Sequence, residues 1–168
     1  MPRGCQRFRP GFTLLEIIAV LVVLGLITLT AVMTLDNTDY NLLSQAQAIR
    51  QDIRYAQSMA MKTGSVWGVD SNGVSFRAFE MVNNVATDRS FPGKETPVQL
   101  SDLGVSLSSF TLYFNGFGQP ANAAGNTPAA TLREIKVGPG GWDFTEPTDP
   151  PNLVKFNVLP DTGFIEVQ

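Results

Sequence analysis

Histidine is missing from all 168 residues, and cysteine occurs once, at Cys5. A zinc site built on imidazole, a nucleophile activated by histidine and a disulfide framework are therefore excluded together. Charged residues are sparse, at 16%, and no proline stands between Pro10 and Pro92, so nothing in that span forces a helix to end. The chain is 43% hydrophobic with a mean hydropathy of +0.04. That is too apolar for disorder and enough, at this length, for one domain.

The apolar residues are unevenly placed. Arg3, Arg7 and Arg9 fall in the first eleven positions with no acid among them, and from Ile17 to Met33 seventeen residues carry no charge. Leu14 and Leu15 extend the run backward past one acid, Glu16. A basic head before an apolar run is a membrane-targeting pattern, with the basic end kept in the cytoplasm and the remainder carried across. Two readings account for the run alone: a cleaved signal peptide with Thr28, Thr30 and Ala31 near the cut, or a signal anchor carrying a periplasmic binding domain. Neither accounts for Glu16, because an unpaired carboxylate costs about 3 kcal/mol at the bilayer centre.

Gly11-Phe12-Thr13-Leu14-Leu15-Glu16 stands directly before the run. Glycine lets the backbone extend into a protease without a side-chain clash. A cut after it leaves Phe12 with a free α-amine, largely protonated near neutral pH. Glu16, four residues on in the first helical turn, suits the positive end of the helix dipole and can meet an amine cation, either its own or that of a neighbouring subunit. These six residues closely resemble the amino-terminal signature of type IV pilins and of the pseudopilins of type II secretion systems. The resemblance implies a prepilin peptidase cutting between Gly11 and Phe12, methylation of the Phe12 amine, and pairing of Glu16 with a neighbour's amine to set subunit register. It implies no catalytic residue, no metal and no cofactor.

Beyond the run, Leu42, Ala46, Ile49, Ile53, Ala56 and Ala60 recur at spacings of four and three. They form one apolar stripe on a helix whose other faces carry Gln45, Gln47, Arg50, Gln51, Asp52 and Arg54. Thr63 and Gly64 supply its stop. One helix from Phe12 to Thr63 would span about 78 Å, of which a bilayer takes less than half. Asp36 to Asp39 mark its exit from the membrane, and Gly25 reads as a small packing residue inside it. Gly64 to Gln168 reads as mainly β. Strands are expected at Val66–Val69 and Val74–Phe79 around Asp70-Ser71-Asn72-Gly73, and at Phe110–Phe114, Arg133–Lys136, Val154–Val158 and Phe164–Val167. The expected fold is α+β and pilin-like: a leader over 1–11, a transmembrane half (12–35) and an amphipathic half (36–63) of one long helix, and an antiparallel β domain over 64–168 packed on it.

Three further segments are similar to the GspH/FimT-like branch of that family, the minor pseudopilins and minor pilins. They are Asp52-Ile53-Arg54-Tyr55-Ala56-Gln57-Ser58 before Gly64, Phe114-Asn115-Gly116-Phe117-Gly118-Gln119-Pro120, and Asp161-Thr162-Gly163-Phe164-Ile165. The loop from Gly138 to Asn152 departs from the pattern. Its Trp142 and Phe144 suggest a lid on the sheet or a contact site, and Asp143, Glu146 and Asp149 lack the spacing of a calcium loop. Removing Arg3, Arg7 and Arg9 with the leader leaves 9 basic against 15 acidic residues, a net charge of −6. That sign argues against nucleic acid unless Arg77, Arg89, Lys94 and Arg133 line up as a stripe.

The resemblance implies a non-enzymatic minor pseudopilin of type II secretion, with a minor pilin of a type IV pilus as the alternative. The expected location is the bacterial inner membrane, single-pass, with the carboxy-terminal domain in the periplasm. The expected partners are other pilin or pseudopilin subunits, the prepilin peptidase, the inner-membrane assembly platform and membrane lipid.

Overall fold

The computed structural model describes residues 13–33, 37–127, 133–145, 148–150 and 152–168, without the side chains of 27–33 and 37–40. Gly11 and Phe12 lie outside the described residues. The chain divides into two units, Met1–Asn37 and Thr38–Gln168.

The first unit holds helix α1, Leu14–Met33. Helix α2, Asn37–Thr63, belongs to the second unit from Thr38 onward. The single helix expected from Phe12 to Thr63 is thus described as two helices, divided between two units, with 34–36 outside the described residues. Among the described residues no helix is long and apolar enough to cross a membrane. In α1 the uncharged stretch begins only after Glu16 in the first turn, and the 17 residues from Ile17 to Met33 rise about 26 Å against a hydrocarbon core of about 30 Å. This overturns the membrane-spanning half assigned to 12–35, the pilin-like fold with its transmembrane helix, and the single-pass inner-membrane location. The architecture is a mixture of helix and antiparallel sheet in which sheet dominates.

In α2 the stripe Leu42, Ala46, Ile49, Ile53, Ala56 and Ala60 is buried, and the last five of these are wholly so. Three of its six residues are alanines, so the helix backbone can lie close against its cover. The helix ends where Gly64 adopts φ +69° and its N–H reaches the Ala60 carbonyl at 2.9 Å, a left-handed cap that costs glycine nothing.

The strands of the second unit are β1 Trp67–Ser71, β2 Ser75–Val82, β3 Val85–Arg89, β4 Val98–Gln99, β5 Val105–Leu107, β6 Phe110–Phe114, β7 Pro120–Ala121, β8 Arg133–Pro139, β9 Val154–Val158 and β10 Ile165–Val167, with a one-turn helix α3 at Leu100–Leu103. They form two antiparallel sheets, one in the order β3-β2-β1-β6-β7 with β4 also on β2, the other in the order β10-β9-β8-β5. Between β1 and β2, Asn72 Oδ1 accepts the Val74 and Ser75 N–H groups at 2.9 and 2.7 Å, and Gly73 takes φ +87°. The side-chain bond closes the turn that the Asn-Gly pair announces. Both sheets send alternate side chains into one core with α2: Val69, Phe76, Leu112 and Phe114 from the first, Ile135, Val137, Phe156 and Ile165 from the second. On the far face of the first sheet Phe79 lies over Gly68, where a Cβ would stand 2.3 Å from its ring. Tyr113 meets the same ring edge-on at 5.4 Å.

One carboxylate is drawn into this packing. Asp52 on α2 is buried and bonded by Lys94, and burial pushes its carboxyl above the usual range while the ammonium pulls the other way. Between the ordinary value and the raised one, the folded protein holds this proton and the unfolded chain does not. The group therefore adds stability as pH falls through the raised pKa. Urea titrations should show wild type gaining on Asp52→Asn as pH drops from about 7 to about 4. A constant difference would refute the assignment.

Candidate assembly surfaces

Thr13 opens α1. Its carbonyl accepts the Glu16 and Ile17 N–H groups at 3.0 and 3.3 Å, and its hydroxyl accepts the Glu16 N–H at 3.3 Å. Thr13 is thus the N-cap and Glu16 the third helical residue, the spacing of a capping box. The signal for it is the sequence Thr13-Leu14-Leu15-Glu16 itself, a threonine followed three residues later by a glutamate. The Glu16 side chain is exposed, and so is every described residue from 14 to 26. Leu14 and Leu15 are each 79% exposed, and Ile17, Leu21 and Leu24 at least half. Thirteen consecutive positions cover more than three turns, so the apolar surface runs round the whole helix. A helix apolar on all sides is one that other structure is meant to cover.

A second surface forms where the three segments singled out in the sequence meet. In the loop after β6, Asn115 Oδ1 accepts the Phe117 and Gln119 N–H groups at 3.0 Å each, and Gly118 takes φ +77°. Gln57 on α2 donates through Nε2 to the Gly118 carbonyl at 2.7 Å and to the Thr162 carbonyl at 3.1 Å. Gln119 Nε2 reaches the Asp161 carbonyl at 3.2 Å. One glutamine amide thereby ties the helix to both turns. The fit is close: a Cβ on Gly163 would stand 2.6 Å from both Gln57 Nε2 and the Gly118 carbonyl, and one on Gly118 would stand 2.8 Å from Met61 Sδ. Beside this junction Phe117 is 85% exposed, Met61 51% and Phe164 48%, with the Arg54 guanidinium 5.6 Å from the Phe164 ring centre.

The remaining candidates do not come together. Arg77 pairs with Asp70 at 2.7 Å and Asp88 at 2.6 Å, Arg89 with Glu80 at 2.7 Å, and Lys94 with Asp52. Arg133 Nη1 bonds the Thr111 carbonyl at 3.0 Å. Each member of the supposed basic stripe already has a protein partner. Asp149 lies between Lys136 at 2.6 Å and Lys155 at 3.2 Å, and these ammonium groups hold its carboxyl below the usual range, Lys136 foremost. Asp143 instead accepts the Thr145 N–H at 2.9 Å, and Glu146 lies outside the described residues. Among the described residues no group of three or more His, Cys, Asp or Glu is placed to hold a metal ion. The loop after β8 folds back: the Trp142 N–H bonds Ser106 Oγ at 2.9 Å, and Phe144 and Pro150 pack over Gly138.

No family model matches this chain, and no curated protein or solved structure shows significant similarity to it.

Proposed function

We propose that the chain is a non-catalytic structural subunit of a filament, a minor pseudopilin acting in type II secretion. It is made with a short basic leader, cut by a prepilin peptidase between Gly11 and Phe12 and methylated at Phe12. The observation that carries the reading is the apolar circumference of α1, interrupted by a single acid at Glu16. Copies of such a helix cover one another at interaxial distances of about 8–10 Å. A Glu16 carboxylate set among apolar neighbours then needs a cation, and the free amine of a neighbouring Phe12 is the cation that processing creates.

Two measurements test this. Mass spectrometry of the mature amino terminus should find methylated Phe12; an intact Met1, or a start after Thr30, would overturn the proposal. Glu16→Leu should leave the cut at Gly11 intact and lower incorporation into filaments several-fold. Unchanged incorporation would remove Glu16 from assembly.

A further inference from the structure

We propose that the cleft at Trp142 binds a neutral sugar ring. The cleft, ≈460 Å³ in volume, opens between the β1–β2 turn, the corner from β5 into β6, and the loop after β8. That size falls within the range of small-molecule sites. Trp142 and Phe144 give it aromatic surface, and Val74, an exposed residue of the β1–β2 turn, adds an aliphatic one. Such surfaces suit the C–H face of a pyranose, an amphipathic ring with one apolar side.

Its polar lining suits hydroxyl groups. Ser108, Ser109 and Thr145 bring hydroxyls, and Asn72, whose Oδ1 is engaged by the turn, brings its NH₂ as a donor. Asp143 supplies a carboxylate acceptor, held in place by the Thr145 N–H. Among the described residues no lysine or arginine lines the cleft, so it offers no counter-charge for a phosphate or a uronate, and the Asp143 carboxylate repels both. One of the lining residues carries an orphaned group. The Trp142 indole N–H is buried with no acceptor, and an indole nitrogen can only donate. Leaving such a donor unpaired is unfavourable. A sugar hydroxyl, with the small shift of Trp142 needed to meet it, supplies the missing acceptor.

The site belongs to the second unit and does not rest on the filament reading. The test titrates the ¹⁵N-labelled full chain with the methyl glycosides of glucose, galactose and mannose, with N-acetylglucosamine, and with glucuronate, and follows the two indole resonances. At least one neutral sugar should shift the Trp142 indole saturably, with a dissociation constant on the order of 1 mM. The Trp67 indole, bonded to Thr63 Oγ1 at 3.0 Å, should stay in place. Ser109 is exposed, so Ser109→Ala leaves the fold intact and should weaken binding about 2- to 10-fold. A Trp142 indole that no neutral sugar moves would overturn the proposal. So would glucuronate moving it equally, or an affinity unchanged by Ser109→Ala.

Discussion

Phe114→Ala should lower the free energy of unfolding by about 3–5 kcal/mol. Phe114 is fully buried, pairs with Trp67 across β1 and with Pro120 across β7, and has its ring edge 3.1 Å from where a Cβ on Gly163 would stand. Truncation removes the apolar transfer energy of the ring and leaves a cavity. Neither sheet nor helix can close that cavity without moving the Gln57 junction. The thermal midpoint should fall by roughly 10 °C or more, and urea unfolding followed by circular dichroism measures the loss directly. A change below about 1 kcal/mol would mean that the ring sits in slack packing and that the junction is not close-fitted.

The second large effect is expected at Gly163→Ala. Gly163 has φ +67°, where a side chain costs about 1–2 kcal/mol. The added methyl also meets the Gly118 carbonyl and Gln57 Nε2 at 2.6 Å each. The amide can swing aside, at the cost of its two hydrogen bonds; the carbonyl belongs to the backbone and cannot. The combined loss should reach about 2–4 kcal/mol. Gly93→Ala is the matched control, because Gly93 has φ +71° and nothing within 4 Å of its Cβ position. It should show the backbone share alone. Equal losses at the two sites would refute the close approach of helix and turns at Gly163.

The β half was legible in the sequence wherever a strand alternated in hydrophobicity between clear turns. Phe110–Phe114 and Val154–Val158 match their expected ends, and the Asn72-Gly73 turn lies where its residues placed it. The strands not foreseen were exposed or too short for that pattern to show, and β5 has only three residues. β3 is exposed throughout, so no alternation marks it, although Asn83 and Asn84, at φ +51° and +64°, form the asparagine-rich turn that announces it. β4 and β7 have two residues each, below any periodic signal. The α2 stripe was fully readable, because a period near 3.6 survives whatever the helix packs against. The membrane assignment failed for a related reason. An apolar run says that a helix needs covering, but hydropathy alone does not say whether lipid or other helices cover it. The Gln57 junction shows a third case: its three segments were noticed separately, but their meeting depends on tertiary approach across more than a hundred residues of chain.

The exposed outer strand β3 bears on how such a molecule avoids uncontrolled association. Its Asp88 and Arg89 are fastened to Arg77 and Glu80 on β2, which puts a charged, ion-paired border on the open rim of the larger sheet. Lateral addition of a foreign strand there would have to disturb or desolvate those ions, a known natural defence against amyloid-like stacking. A protein with so apolar a first helix carries a strong tendency to stick to itself. The charged border closes the rim of the sheet to that tendency, whatever the helix itself meets.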